Sequence, residues 1–162
     1  MSKQTVGMDT IQSFLAQKRI AMIGISRDPK SFSAQLFQEF MRRGYEMIPV
    51  NPQGGIVAGK PCVFRVQDIK PPVEAAIVMT TPEVTEHVVR DCAEAGVWRI
   101  WMFRGAGKGS VSRKAVEFCR EHGMQVIPGE CPFMFFPHTE FFHRAHGFFR
   151  KMAGHYPQPS TA

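Results

Sequence analysis

Five short apolar segments alternate with amphipathic segments along most of this 162-residue chain. The apolar segments are residues 19–25, 45–50, 75–80, 99–103 and 124–128. Short apolar runs bounded by turn residues are typical of strands that are buried on both faces. Strands that alternate with helices over short links predict an α/β fold: a doubly wound, mostly parallel five-stranded sheet with right-handed crossovers.

The segments between these strands carry helix start and stop signals. Helices are predicted to begin near residues 10, 32, 82 and 113 and to end near residues 17, 43, 95 and 122. The predicted caps are Asp9, Thr81 with Pro82 at the first helical position, and Ser110 or Ser112. The glycines and proline within residues 54–61 predict a loop after the second strand.

The length of the chain and the phenylalanine-rich segment near its end indicate the domain organisation. A chain of this length predicts a single domain, here residues 1–155, with a frayed end at 156–162. Half of the 14 Phe residues fall between Phe133 and Phe149, which predicts an added C-terminal aromatic helix at about residues 139–153. Packing in the core is the simpler role for that helix, and a homodimer contact is the alternative. An amphipathic helix at a membrane surface is a weaker third choice, because Arg144, Arg150 and Lys151 offer little charge for lipid.

The net positive charge of the chain indicates which class of partner it binds. The chain has 20 Lys and Arg against 14 Asp and Glu, a net charge of +6, which favours an anionic partner. A helix-turn-helix or an interleaved basic–aromatic face is not evident, so a small phosphorylated molecule is expected rather than a nucleic acid. No run reaches the roughly 20 apolar residues of a membrane helix, and no secretory signal is evident, so a membrane partner is not expected and the cytoplasm is the expected compartment.

Nucleophilic and metal-binding chemistry finds little support in the sequence. The four cysteines form no CxxC pair, and Cys92 and Cys119 fall on apolar helix faces, as core residues do. Cys131 precedes a proline and is predicted to be a turn residue rather than a nucleophile. His143 and His146 lack a known ligand spacing. We therefore expect neither catalytic residues nor a metal site.

The loop after the first strand is the most informative segment, because ligands of doubly wound sheets bind at the carboxyl ends of the strands. A dinucleotide enzyme places GxGxxG here and an acid after the second strand. This chain keeps Gly24 alone and has Asn51 at the second position, which argues against NAD. A phosphate ligand remains compatible with a helix start. The alternative is that Gly24 only allows close packing and that Arg27 and Lys30 are solvated.

A second glycine-rich segment, residues 104–109, follows the fourth strand. Its spacing does not match the Walker A pattern, which needs four residues between the outer glycines and a GK[ST] end. It is interpreted as a flexible connection between a strand and a helix.

Four short motifs occur in order along the chain: Gly24-Ile-Ser-Arg-Asp-Pro, Ile48-Pro-Val-Asn-Pro, Thr80-Thr-Pro and Cys131-Pro. This ordered set resembles the small single-domain CoA-binding proteins, which are similar to the nucleotide-binding domain at the start of the succinyl-CoA synthetase alpha subunit. The resemblance covers about residues 9–137 and implies a Rossmann-like domain that holds coenzyme A. In that family pattern the first loop meets the phosphates, the second turn meets the adenosine end, and the third turn lies against the ribose or adenine.

Carried onto this sequence, the resemblance and the loop chemistry give one set of expected cofactor-binding residues. The set comprises Gly24, Ile25, Ser26, Arg27, Lys30, Ser33, Val50, Asn51, Pro52, Thr80, Thr81 and Pro82. The chain departs from the synthetase after the fourth strand, where Arg104-Gly-Ala-Gly replaces a glutamate-bearing turn, and it has no counterpart of the phosphohistidine domain.

The sequence thus favours non-catalytic binding of coenzyme A or an acyl-CoA. Two enzymatic alternatives remain open, an NAD(P)-binding domain and a subunit of a split acyl-CoA synthetase.

Overall fold

The structure is a computed structural model that describes residues 6–105, 107 and 109–136. The predicted helix at 139–153, the frayed end and the proposed homodimer contact lie outside these residues. Within them the chain forms α1 (Met8–Leu15), β1 (Arg19–Ile23), α2 (Phe32–Arg42), β2 (Glu46–Val50), β3 (Ile56–Val57), β4 (Lys60–Pro61), β5 (Ala75–Val78), α3 (Pro82–Glu94), β6 (Arg99–Phe103), α4 (Arg113–Glu121) and β7 (Gln125–Glu130). Short 3-10 helices cover Val66–Asp68 and Pro132–Phe135.

The central sheet has five parallel strands in the order β2-β1-β5-β6-β7. This order confirms the predicted doubly wound, Rossmann-like architecture. Ile23, near the end of β1, pairs with Val50 on one side and Val78 on the other. The direction of strand addition reverses between β1 and β5, and this switch point is where such sheets bind ligands.

Each face of the sheet is covered by its own pair of helices. On one face, Phe14 of α1 and Phe37 of α2 pack in a cluster with Trp101 of β6. On the other face, α3 and α4 contribute Cys92 and Cys119, which are fully buried as predicted. Burial raises the pKa of the Cys119 thiol to about 12, so this thiol is protonated at neutral pH and serves as a small apolar residue of the core.

Two local predictions are wrong. The cap of α1 is Gly7, whose carbonyl accepts the Thr10 N–H at 3.2 Å, because the helix begins before Asp9 and takes that carboxylate into its first turn. Residues 54–61 are not simply a loop, since β3 and β4 pair there as an antiparallel hairpin. Ala58 and Gly59 both have positive φ, the conformation that a two-residue hairpin turn requires.

Of the two predicted caps of α4, the structure selects Ser112, whose hydroxyl accepts the Ala115 N–H. Thr81 stands at the cap position of α3, where its carbonyl rather than its hydroxyl accepts the Thr85 N–H at 2.9 Å.

The longest helix in the described part of the chain is α3, which has 13 residues. No helix in that part of the chain is long and apolar enough to span a bilayer.

Candidate functional site

The loop after β1 and the turn after β5 touch at the switch point. Gly24 has a φ of +82°, and a Cβ there would lie 2.6 Å from the Thr80 methyl carbon and 3.1 Å from the Thr80 backbone nitrogen. A side chain at position 24 would therefore push the two segments apart. Gly24 does serve close packing, as the alternative interpretation held, but its neighbour is a second strand end.

The first loop, residues 24–33, is closed by its own hydrogen bonds. The Ser26 N–H donates to Ser33 Oγ at 3.0 Å, and Ser26 Oγ accepts the Asp28 N–H at 3.1 Å. The Asp28 carboxylate accepts the Lys30 N–H at 2.9 Å, and Ser31 Oγ caps α2 by accepting the Ala34 N–H at 3.2 Å. The loop is therefore shaped before any ligand binds, and the predicted site residues Ser26 and Ser33 help to shape it.

The electrostatics of the first loop favour an anion. Arg27, Lys30 and Asp28 are all exposed, so the surface of this loop carries two positive charges and one negative charge. The N-terminus of the 11-residue helix α2 adds its partial positive charge. The Ser33 N–H stands at the second helical position and has no acceptor inside the helix, since the first N–H groups of any helix lack one. Such groups hold phosphates at helix starts in other proteins.

Arg27 is not a freely solvated side chain. Its Nη2 donates to Gln53 Oε1 at 3.0 Å, and its stem crosses Gly55, where a Cβ would lie 2.4 Å from Arg27 Cδ. Its charge also reaches Cys62: burial raises the pKa of that thiol, and Arg27 acts in the opposite direction. The guanidinium is thus held between the first loop and the turn after β2. Lys30 is exposed and remains compatible with either interpretation.

The second turn, Val50, Asn51 and Pro52, is fixed to the first loop. The Asn51 amide donates to the Ile25 carbonyl at 3.0 Å and accepts the Gln53 N–H at 2.9 Å, while the Val50 carbonyl accepts the Gly24 N–H at 3.0 Å. Asn51 therefore positions backbone on both sides, and it places a neutral group where an NAD enzyme carries an acid.

Phe64 lies beside this turn and was not singled out by the sequence. Its side chain is 60% exposed, and a Cβ on Gly54 would lie 3.1 Å from a ring carbon, so the ring rests against the turn. Val63, its neighbour in the chain, pairs with Val50 and brings Phe64 to this edge. A phenylalanine in a glycine-rich stretch gives no signal in the sequence that it will be exposed.

On the other side of β1, the third turn, Thr80, Thr81 and Pro82, borders a cleft of about 460 Å³. The described residues that line it are Phe32, Met79, Thr80, Thr81, Phe103, Gly105, Gly109 and Ser110. The cleft brings Thr80 and Thr81 together with the start of α2 and the end of β6, whereas Pro82 begins α3. Phe32, Phe103 and Ser110 were not predicted, because their proximity depends on strand order.

The glycine-rich segment after β6 ends in a fixed turn rather than the predicted flexible connection. A Cβ at Gly109 would lie 2.4 Å from the Phe103 carbonyl oxygen. The buried Ser110 hydroxyl lies 2.8 Å from the Val78 carbonyl and 3.0 Å from that of Phe103. These contacts fold the end of the segment back over two strand ends.

Cys131 is fully buried, and its carbonyl accepts the Met134 N–H at 3.1 Å, in a turn that leads into Pro132. Between residues 6 and 136, as far as the structure describes them, no group of His, Cys, Asp and Glu side chains is arranged to hold a metal ion. The candidate histidines His143 and His146 lie outside the described residues.

The chain matches a known protein family over most of its length. The family model described as the CoA binding domain matches residues 18–137. An uncharacterised protein of Bacillus subtilis, YneT, is 30% identical over 114 residues, covering 70% of this chain and 82% of that protein. The alpha subunit of acetate–CoA ligase (ADP-forming) II of Pyrococcus furiosus is 27% identical over 126 residues, covering 73% of this chain but 27% of that subunit.

A hypothetical protein from Pyrococcus horikoshii has the same fold, with a TM-score of 0.72 at 23% identity, over 80% of this chain and 88% of its own. An acetyl-coenzyme A synthetase of Candidatus Korarchaeum cryptofilum matches with a TM-score of 0.57 at 23% identity, over 68% of this chain and 25% of its own. The family resemblance of the four motifs is confirmed, since the matched segment spans most of the chain. The chain belongs to the CoA-binding domain family.

Proposed function

We propose that this protein binds coenzyme A or an acyl-CoA at the carboxyl edge of its sheet and contributes no catalytic residues of its own. One observation carries the proposal: the Arg27 guanidinium is held between a loop at a helix start and a turn that presents the neutral Asn51. Coenzyme A has a diphosphate and a 3′-phosphate, so it requires cations and N–H donors rather than a carboxylate near the ribose.

The diphosphate would lie at the first loop. Gly24 and Ile25 supply close backbone, Ser33 supplies a helix-start N–H group, and Lys30 supplies charge. Ser26 supports the loop through its hydroxyl. The Asp28 carboxylate accepts the Lys30 N–H, so part of its charge is already balanced inside the loop.

The adenosine would lie at the second turn. Val50, Asn51 and Pro52 form a rigid edge, and the exposed Phe64 ring offers a flat apolar surface for the base. Arg27 stands between this turn and the first loop, where its charge would meet the 3′-phosphate. A charge-assisted contact of this kind contributes roughly 1.5–3 kcal/mol.

The pantetheine arm would then run along the third turn. In the sheet, β1 lies between β2 and β5. The third turn, formed by Thr80, Thr81 and Pro82, is therefore on the opposite side of β1 from Asn51. This placement differs from the family pattern, which implies ribose or adenine at the third turn. It lets one extended ligand touch all three segments that the sequence selected.

A role as a subunit of a split acyl-CoA synthetase is the second candidate. It is favoured by the match to a ligase alpha subunit, of which this chain spans about a quarter. A partner chain would have to supply the transfer chemistry.

We also propose that the protein is cytoplasmic and forms a homodimer through the aromatic segment at 139–153. We do not propose a nucleic-acid partner.

Isothermal titration with coenzyme A, dephospho-CoA and NAD tests the proposed ligand. Coenzyme A should bind at least about tenfold more tightly than either comparison ligand, since about 1.4 kcal/mol corresponds to one decade. Equal affinities for coenzyme A and NAD, or no binding of coenzyme A at millimolar concentration, would contradict the proposal.

A further inference from the structure

The cleft beside the third turn is lined mainly by apolar groups, and two of its hydroxyl groups, on Thr80 and Ser110, already donate their protons to other protein atoms. Thr85 Oγ1 donates to the Thr81 carbonyl at 2.9 Å, so the 2.8 Å bond between the Thr80 and Thr85 hydroxyls uses the Thr80 proton. The Ser110 hydroxyl points to two strand-end carbonyls. Neither Thr80 nor Ser110 therefore has a proton left for a ligand carboxylate.

Aromatic rings close one side of this cleft. The rings of Phe32 and Phe103 lie 5.0 Å apart, and Phe32 meets Phe133 edge-on at 5.5 Å. Phe32 is 37% exposed, so a ligand in the cleft would cover apolar surface that water now contacts. The described lining residues include no charged side chain.

The position of the cleft links it to the proposed diphosphate site. Phe32 is the first residue of α2, the helix whose N-terminus would meet the phosphates, and it is also a wall of the cleft. A ligand that leaves the first loop along Thr80 and Thr81 therefore enters the cleft with its distal end. In an acyl-CoA, the distal end is the acyl thioester.

We propose that this cleft is an acyl-binding site and that the protein prefers short, uncharged acyl-CoA thioesters to free coenzyme A. The inference rests on the proposed function and extends it to the class of acyl group. A volume of about 460 Å³ must also hold the end of the pantetheine arm, so the acyl chain is one of a few carbons. A carboxylated acyl group would lose water and would find neither a charged side chain among the described lining residues nor a free hydroxyl proton on Thr80 or Ser110.

Calorimetric titration of the full chain with free coenzyme A, acetyl-CoA, butyryl-CoA and succinyl-CoA tests the inference. Butyryl-CoA should bind about tenfold more tightly than acetyl-CoA, at roughly three- to fourfold for each added methylene. Succinyl-CoA, which has the same number of acyl carbons as butyryl-CoA, should bind at least about tenfold more weakly than butyryl-CoA because its carboxylate is unpaired.

Substitutions in the cleft test whether its aromatic residues cause the preference for butyryl-CoA over free coenzyme A. Phe103→Ala should reduce the ratio of butyryl-CoA to free coenzyme A affinity to near one, and Phe32→Ala provides a second test at a more exposed position if the first variant unfolds. Trp98→Ala is the matched control, because Trp98 is a 46% exposed aromatic residue that precedes β6 at its opposite end.

The outcomes separate the two proposals. Binding of coenzyme A with no dependence on acyl chain, or with succinyl-CoA as tight as butyryl-CoA, overturns the acyl site and leaves the proposed function standing. A preference for butyryl-CoA that survives both phenylalanine variants also overturns it. Failure of every thioester and of free coenzyme A to bind overturns both proposals.

Discussion

The carboxyl edge of the sheet divides into two unlike halves on either side of the junction between Gly24 and Thr80. The polar half, the first loop and the second turn, is held by hydrogen bonds in which Ser26 Oγ accepts and the Asn51 and Arg27 side chains donate. The apolar half, the cleft beside the third turn, is walled by Phe32 and Phe103. The polar half presents charge to solvent, whereas the apolar half presents hydrocarbon.

Strand order explains why the two halves are neighbours. β1 lies between β2 and β5, so the loop after β1 is next to both the second turn and the third turn. A small molecule with phosphates at one end and an apolar group at the other can therefore contact both halves without any rearrangement of the sheet. Coenzyme A thioesters have this composition, and a dinucleotide with two polar ends does not.

The largest effect is expected where the two halves meet. Gly24→Ala should destabilise the fold by about 3 kcal/mol, since positive φ costs roughly 1–2 kcal/mol and the new methyl group would clash with Thr80. Gly44→Ala is the matched control: Gly44 also has positive φ, but a Cβ there meets nothing within 4 Å. Urea unfolding of both variants measures the difference, and equal losses would show that the close approach at Gly24 carries no energy.

The sequence predicted the five strands of the central sheet and the four helices, because apolar periodicity and turn residues are local signals, but it missed the β3–β4 hairpin. That the first loop and the second and third turns bind a ligand stays a prediction. The sequence did not predict the cleft. Phe32, Phe103 and Ser110 are separated by up to 78 positions in the chain and meet through strand pairing, which local patterns do not encode. Phe64 lies in a segment without helical or strand periodicity, so nothing in the sequence indicated that its side chain would be 60% exposed.

A smaller effect is expected within the polar half. Arg27→Ala should weaken coenzyme A binding by about tenfold or more and dephospho-CoA binding by less, if the guanidinium meets the 3′-phosphate as proposed. Lys30→Ala should also weaken coenzyme A if its ammonium reaches the diphosphate. Arg113→Ala, an exposed arginine at the start of α4, controls for net charge. Calorimetric titration of these variants measures their affinities for both ligands. Wild-type affinity of the Arg27 variant would show that Arg27 has only a structural role.

The flat surface beside the second turn gives a more modest effect. Phe64→Ala should weaken coenzyme A by about fivefold, because stacking of an aromatic pair contributes roughly 0.5–1.5 kcal/mol. Pantetheine phosphate, which lacks the base, should bind both forms alike. Ile56→Ala is the control, since Ile56 is the most exposed large apolar residue of the hairpin. The same loss for coenzyme A and pantetheine phosphate would show that Phe64 does not contact the adenine.

The smallest effect concerns α2, the helix that serves both halves. Burial alone would raise the pKa of Glu39, but hydrogen bonds from Arg42 and Arg43 outweigh it and hold that pKa below its usual value of 4.5. Because the folded-state pKa is depressed, this stabilisation is present above that value and is lost as the pH falls through the folded pKa.

Glu39→Gln should therefore lower stability by about 1 kcal/mol at pH 7 and by progressively less as the medium becomes acidic. Asp68→Asn, which alters the exposed pair with Arg65, should change stability little at either pH. Urea titrations at neutral and acidic pH measure both. A loss for Glu39→Gln that is the same at both pH values would exclude the ion pairs as its cause.

Backbone amide chemical shifts during titration test most directly whether one ligand spans both halves. Butyryl-CoA should shift amides of the first loop, the second turn and the cleft, including those of Ser33, Asn51 and Ser110. Adenosine 3′,5′-bisphosphate should shift the amides of the polar half and leave Ser110 unchanged. Shifts confined to one half with butyryl-CoA, or centred away from the carboxyl edge of the sheet, would contradict the account.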